Sequence, residues 1–245
     1  MSEPSFWGIA GYPVSHSLTP RLFAEVGRHL GIEGPQGVFL EAADIDEFEQ
    51  RLADLDGDVW LSCTAPLKHA PQDRLGGTGP EGVNAINQLK RTQGEWTGTS
   101  TDGLGFVAAC RHIGIEPDGS VLRMRGGGSA ARSIAAAWAD AGGLLIPVQG
   151  RRALVSGPWD GAVVADGRAA LGIDLDAAPA GGQSAPLDAD TQVSISYGDG
   201  ANTDEFAVVM VAAQHLEAWK SIFAPERAAE LPSLSLLLER ISVTP

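Results

Sequence analysis

Three hydroxyl side chains, Ser15, Ser17 and Thr19, fall in the short segment GYPVSHSLTP between Gly11 and Pro20. The segment follows an apolar stretch and ends in a proline of the kind that opens helices. Hydroxyls and free backbone N–H groups at a helix start suit a small carboxylate, because the dipole end is positive and neutral donors are cheap to desolvate. The same residues also read as a plain cap, with Thr19 as capping residue and Ser15 and Ser17 as turn formers. Further along, Lys68 follows Thr64-Ala-Pro66, and Asp102 sits in a Gly-flanked stretch. An ammonium fixed by a carboxylate can give a proton to a developing alkoxide, or take one in reverse, as hydride transfer to a ketone requires. On residue type alone, Lys68 and Asp102 read as an ordinary surface pair.

A second chemistry-bearing stretch is Gly126-Gly127-Gly128-Ser129-Ala130-Ala131, which fits G-x-G-x-x-A. Between a strand and a helix this pattern is a dinucleotide fingerprint, with Gly126 for the turn, Gly128 for close approach of a pyrophosphate and Ala131 for helix packing. A Gly-rich turn alone is weak evidence. No Asp or Glu stands at the end of the following strand, where an NAD site would place one for the ribose hydroxyls. The chain has Gln149-Gly-Arg151-Arg152 there, and guanidinium groups suit a 2′-phosphate. Two solvated arginines in a turn are the plainer reading.

These residues must be held by alternating elements. Apolar runs and helical spacing predict strands over 6–10, 38–40 and 59–63, with helices over 21–30 and 45–55. Residues 84–90 and 95–99 flank a hairpin turn. A helix over 106–112 precedes a boundary at 117–120. A second βα unit follows, with a strand over 121–125, a helix over 130–141 and a strand over 144–148. Weaker signals suggest strands over 162–165, 171–175 and 193–197 and a small-residue loop over 177–185, before helices over 206–223 and 234–241. Alternation of this kind predicts an α/β chain with mostly parallel sheets.

Composition excludes other classes. With 31 acidic against 17 basic side chains the formal charge is −14, which disfavours nucleic acid and anionic membrane surfaces as partners. No apolar run approaches the ~18 residues of a membrane span, and the N-terminal residues lack the look of a secretory signal, so a cytoplasmic setting is expected. Cys63 and Cys110 form no CxxC or Cys/His cluster and read as buried thiols, and no metal is proposed. Trp60, Trp96, Trp138 and Trp219 read as core or interface residues.

Five ordered motifs resemble the shikimate dehydrogenase family. GYPVSHSLTP is similar to its G-x-P-x-x-H-S-x-S/T-P, SCTAPLK over 62–68 to N-V-T-x-P-x-K, and EGVNAI over 81–86 to G-A-V-N-T-L. GTSTDGLGF over 98–106 is similar to G-x-N-T-D-x-x-G-F, and MVAAQ over 210–214 to M-L-V-x-Q. The resemblance implies an N-terminal α/β substrate-binding domain over 1–102, completed by C-terminal helices over 206–245. A shortened Rossmann-like NADP-binding domain over 103–205 would be inserted, with a cleft between the two. It implies NADP-dependent, reversible reduction of 3-dehydroshikimate to shikimate in aromatic amino-acid biosynthesis, with Lys68 and Asp102 as the catalytic pair.

Substrate contacts would fall on Ser15, Ser17, Thr64, Asn84, Tyr197 and Gln214. Asn84 and Gln214 each offer donor and acceptor to vicinal ring hydroxyls. Gly126, Gly127, Gly128, Ser129, Ala130, Arg151 and Arg152 would bind NADP, the two arginines standing where the family has N-R-T/S. Ser129 replaces a glycine of the family's G-A-G-G-A-x-R, and Arg123 and Arg125 interrupt a strand expected to be apolar. These departures motivate a rival reading, a non-catalytic shikimate-binding homologue with a degenerate nucleotide site. A quinate or aminoshikimate dehydrogenase is a closer variant. The partner implied is a small-molecule substrate, and a homodimer is left open.

Overall fold

The computed structural model describes residues 3–69, 74–75, 79–176, 185–198 and 201–243. The chain divides into two compact units, one made of Met1–Pro80, Asn84–Thr101 and Gln214–Pro245, the other of Glu81–Val83 and Asp102–Ala213.

The first unit holds a five-stranded sheet of order β2-β1-β3-β4-β5. β1 (Phe6–Gly11), β2 (Gln36–Glu41) and β3 (Val59–Cys63) are parallel, while β4 (Gln88–Thr92) and β5 (Glu95–Thr99) form the expected hairpin, antiparallel to β3. Every residue of β3 is buried, as a parallel strand covered on both faces requires. α1 (Thr19–Leu30) links β1 to β2 and ends at Gly31, whose φ of 71° is the left-handed closing residue that glycine adopts without strain. α2 (Ile45–Ala53) opens on Asp44, which accepts the Glu47 N–H at 2.9 Å, while the Glu47 carboxylate accepts the Ala43 N–H at 2.8 Å. Those reciprocal bonds satisfy two orphan donors at the helix start.

An aromatic cluster locks this unit. Trp60 stacks on Phe223 with centroids 5.3 Å apart and meets Trp219 edge-on at 5.2 Å, and Trp7 stacks on Phe23 at 5.7 Å. The helix expected over 206–223 is two pieces. α5 (Phe206–Ala218) passes into a π turn, Trp219–Phe223, and the Lys90 ammonium closes it by donating to the Ile222 and Phe223 carbonyls at 3.1 and 3.2 Å. The wider turn accommodates the Trp219 and Phe223 rings in the cluster. α6 (Leu234–Val243) packs against α1.

The second unit holds a four-stranded parallel sheet of order β7-β6-β8-β9. Its strands are β6 (Val121–Arg125), β7 (Leu144–Val148), β8 (Leu171–Asp174) and β9 (Thr191–Val193), with α3 (Asp102–His112) and α4 (Ser129–Asp140) beside them. β7 is an edge strand and tolerates Pro147, which has no N–H to give to a ladder. α3 and α4 approach so closely that a Cβ on Gly103 would collide with the Ser133 backbone, and the Gly103 N–H donates to Ser133 Oγ at 2.9 Å.

Several expected elements differ. Residues 162–165 form no strand; a 3-10 turn, Asp160–Ala162, and a single bridge from Val163 to Leu145 stand there, in a stretch broken by Gly157, Pro158, Gly161 and Gly167. The strand expected over 193–197 is instead Thr191–Val193, and beyond it Ser194 Oγ accepts the Ser196 N–H and turns the chain. Of the loop expected over 177–185, residues 177–184 lie outside the described residues. Among the described residues no helix is long and apolar enough to cross a membrane. Cys63 and Cys110 are both free and buried, as expected.

Candidate functional site

In the first unit β1 lies between β2 and β3, so the connections leave β1 to opposite sides. Open α/β sheets hold ligands outside the carboxyl ends of strands at such a switch point. The loops that emerge there are the hydroxyl loop after β1 and the Lys68 loop after β3. They are tied together: the Tyr12 N–H donates to Ala65 O at 3.0 Å and the Thr64 N–H to Ala10 O at 2.9 Å. Gly11, at φ 148°, makes this close approach possible, since a Cβ there would run into the Thr64 methyl and the Ala65 carbonyl. Lys68 sits in a 3-10 turn, Leu67–His69, half-buried, and its carbonyl accepts the Ile86 N–H at 2.9 Å. That bond brings the segment carrying Asn84 to the same edge. Asn84 itself is exposed in the left-handed region at φ 49°, a conformation asparagine tolerates.

Ser15, Ser17, Thr64, Lys68 and Asn84 are therefore borne on segments that hydrogen bonds join at one sheet edge. The reading of Thr19 as a helix cap is corrected: Leu18 holds the capping position without a side-chain hydrogen bond, and Thr19 is buried. Ser17 Oγ accepts the Thr19 N–H at 3.2 Å instead. Gln214 belongs to this unit and is half-buried on α5, whereas Asp102 and Tyr197 belong to the second unit.

A buried polar network that the motifs do not reveal stands behind these loops. Asn87 Oδ1 accepts the Thr101 N–H at 2.6 Å, Gln88 Nε2 donates to Thr101 Oγ1 at 3.2 Å, and Ser62 Oγ donates to Gln88 Oε1 at 2.8 Å. Each partner is satisfied, so the network fixes Thr101 and with it the peptide leading into Asp102. Asp102 is 2% exposed and opens α3. The signal for the network in the sequence is the run of polar residues in and beside otherwise apolar strands.

Burial pushes the Cys63 thiol up to about 12, against the opposing pull of the Lys68 charge. Burial likewise pushes His215, beside Gln214, from its ordinary 6.5 down to about 3. Between those values the unfolded chain binds a proton that the folded chain refuses, so stability should fall as pH drops from about 6.5, by up to ~1.4 kcal/mol per pH unit from this group. Urea unfolding of the protein and of His215→Gln across that range checks it. The variant should show a shallower fall with acidity, and parallel curves would refute the assignment.

In the second unit β6 is the switch strand, flanked by β7 and β8. Gly126 follows it at φ 108°, as the sharp turn demands. Gly127 plays a part the motif does not suggest, for a Cβ there would collide with the Ala153 carbonyl, so the backbone closest to it is the chain's own. Gly128 faces open space and caps α4, and Ser129 and Ala130 supply the first-turn N–H groups with no acidic residue in that turn. Arg132 holds the turn, donating from Nη1 to Gly127 O at 3.2 Å and from Nε to Val83 O at 2.8 Å. Burial lowers the proton affinity of this guanidinium, and the nearby charge of Arg152 lowers it further. Arg151 and Arg152 are exposed. A helix start without a side-chain cap, an open glycine and two exposed guanidiniums fit the phosphates of a dinucleotide.

Arg123 and Arg125 alternate with buried Leu122 and Met124. Arg123 donates to Gly167 O at 3.2 Å, and Arg125 pairs with Asp174 at 2.5 Å. Residues 149–170 join β7 to β8 with no α-helix, so the face of β6 toward Gly167 has no crossover helix to cover it and accepts cationic side chains.

No family model matches the chain. The shikimate dehydrogenase (NADP(+)) of Xylella fastidiosa strain M12 is 33% identical over 142 residues, covering 56% of this chain and 50% of that protein. That of Xanthomonas campestris pv. campestris strain B100 is 36% identical over 149 residues, with the same shares. The chain spans about half the length of the curated relatives it matches. Among solved structures, the shikimate 5-dehydrogenase of Thermus thermophilus in complex with shikimate superposes with a TM-score of 0.72 at 24% identity, covering 96% of this chain and 98% of that one. The fold is that of the shikimate dehydrogenases, and the α/β class expected from the sequence is the one found.

Proposed function

We propose that the chain is an NADP-dependent shikimate dehydrogenase, interconverting 3-dehydroshikimate and shikimate in the cytoplasm as a step of aromatic amino-acid biosynthesis. One observation carries this reading: the hydroxyl loop after β1 and the Lys68 loop after β3 are hydrogen-bonded to each other at the switch point of the first sheet. A neutral carboxylate receptor and a proton donor thereby share one edge. The similarity to curated NADP-dependent relatives supports the same conclusion.

In this reading Ser15 and Ser17 receive the ring carboxylate, and Thr64, Asn84, Gln214 and Tyr197 orient the ring through its carboxylate or hydroxyls. Lys68 donates the proton to the oxygen that gains charge as the ketone is reduced, and accepts it in the reverse direction, with Asp102 as its carboxylate partner. NADPH, when bound, supplies the hydride. Gly126, Gly128, Ser129 and Ala130 present backbone to its pyrophosphate, Gly127 and Arg132 brace that turn, and Arg151 and Arg152 meet the 2′-phosphate.

The packing of Gly127 against the Ala153 carbonyl favours a second reading, a shikimate-binding homologue without turnover. Following NADPH formation with shikimate and with quinate, beside calorimetric titration of NADP, separates the two. Turnover with shikimate is expected. Shikimate binding without NADP binding or turnover would sink the enzyme, and preferred turnover of quinate would move the substrate.

A further inference from the structure

The nucleotide half carries a carboxylate that a phosphate clamp does not need. Asp176 lies just past the end of β8, with its side chain 14% exposed. It accepts the Arg151 backbone N–H through Oδ2, and its Oδ1 is 3.9 Å from Arg151 Nε. A Cβ on Gly150 would collide with Oδ2, and one on Gly126 would stand 3.1 Å from Oδ1. The carboxylate therefore touches both the turn after β6 and the turn after β7. Its neighbour Asp174 is neutralised by Arg125 at 2.5 Å and accepts the Asp176 N–H at 3.0 Å, so it holds Asp176 in place.

A dinucleotide site for NAD takes the acid that binds the ribose hydroxyls from the end of its second strand. Here that position holds Gln149 and Gly150, and the carboxylate reaches the same turn from the third strand. An ionised carboxylate accepts a hydroxyl O–H and repels a phosphate dianion. Its Oδ1 also stands 3.9 Å from the Arg151 guanidinium that a 2′-phosphate would engage. We propose that Asp176 is a specificity-determining residue of the cofactor site, binding the ribose 2′-hydroxyl and weakening the hold on a 2′-phosphate, so that the chain accepts NAD beside NADP. The inference rests on the dinucleotide reading above.

Calorimetry with the fragments 2′,5′-ADP and 5′-AMP tests it without turnover. The unaltered protein should bind the two within about tenfold of each other, the weight of a single like charge a few ångström away in a partly solvated site. Asp176→Asn keeps an oxygen for the Arg151 N–H and removes the charge, and should raise the preference for 2′,5′-ADP on the order of tenfold. Asp176→Ser, a smaller neutral acceptor, should do the same. A preference beyond about a hundredfold in the unaltered protein, or one that neither variant raises, overturns the role of Asp176. Binding of neither fragment by the unaltered protein overturns the nucleotide site itself, and this inference with it.

Discussion

Replacing Lys68 by alanine is expected to lower kcat for shikimate oxidation by about 10²-fold or more, the scale of lost general acid/base help. At the lower bound that is ~2.7 kcal/mol of transition-state stabilisation. The loss should fall on kcat, with shikimate affinity retained, because the proposed carboxylate receptor is the hydroxyl loop and the Lys68 backbone bond to Ile86 does not involve its side chain. Steady-state kinetics beside calorimetric titration of shikimate measure both quantities. An unchanged kcat removes Lys68 from proton transfer; an equal loss of binding would make it a substrate clamp. Lys68 is half-buried and lies outside the five-residue core strand β3, so the variant should fold, and an unaltered thermal midpoint would show that the side chain is spared from structural duty.

How far the site is legible depends on how local its determinants are. β1, β3 and their loops can be read because short apolar runs ended by Gly11 and by Thr64-Ala-Pro66 are local signals, and the hairpin at Gln93 and Gly94 is another. The cap of α1 cannot be read the same way, because the choice between Leu18 and Thr19 turns on burial, which no spacing reveals. The Asn87–Thr101 network joins β4 to the end of the β5 segment, and its partners are defined only by the hairpin register. Asp176 is hidden for a related reason. An acid for the ribose is expected after the second strand, and the one present comes from the third, a position that only the sheet order β7-β6-β8 brings beside Gly150.

The net charge of −14 looks at first like an argument against anionic ligands. The site answers it locally. In the proposed site the first unit would offer neutral hydroxyls to a carboxylate, and the second would offer Arg132, Arg151 and Arg152 near a helix start that has no side-chain cap. Fields of the whole chain are screened within about 10 Å at ordinary salt, whereas contacts within a few ångström are screened much less. The two arginines in β6 follow from the connection between β7 and β8: without a helix it leaves one face of the strand to charged side chains, one of them paired with Asp174.

The largest stability effect should come from Trp60→Ala, at about 3–5 kcal/mol, the usual loss for truncating a buried large aromatic. Trp60 is 1% exposed as the second residue of β3, level with Trp7 on one side and Lys90 on the other. Its ring stacks on Phe223, meets Trp219 edge-on and lies 5.6 Å from the Lys90 ammonium. Truncation therefore opens a cavity and also strips the ring from beside a cation that burial already disfavours. In a chain of this size the loss should lower the thermal midpoint by about 10 °C, and Trp60→Phe should recover much of it by keeping a ring in the stack. Because Trp60 lies upstream of the Thr64 and Lys68 loop and its ring contacts are with Trp219, Phe223 and Lys90, the alanine variant should keep most of its kcat well below its midpoint. Shikimate should still raise that midpoint, as a ligand that binds only the folded state must. A midpoint lowered by only a degree or two would show that the aromatic cluster is not what holds the first sheet to its C-terminal segment.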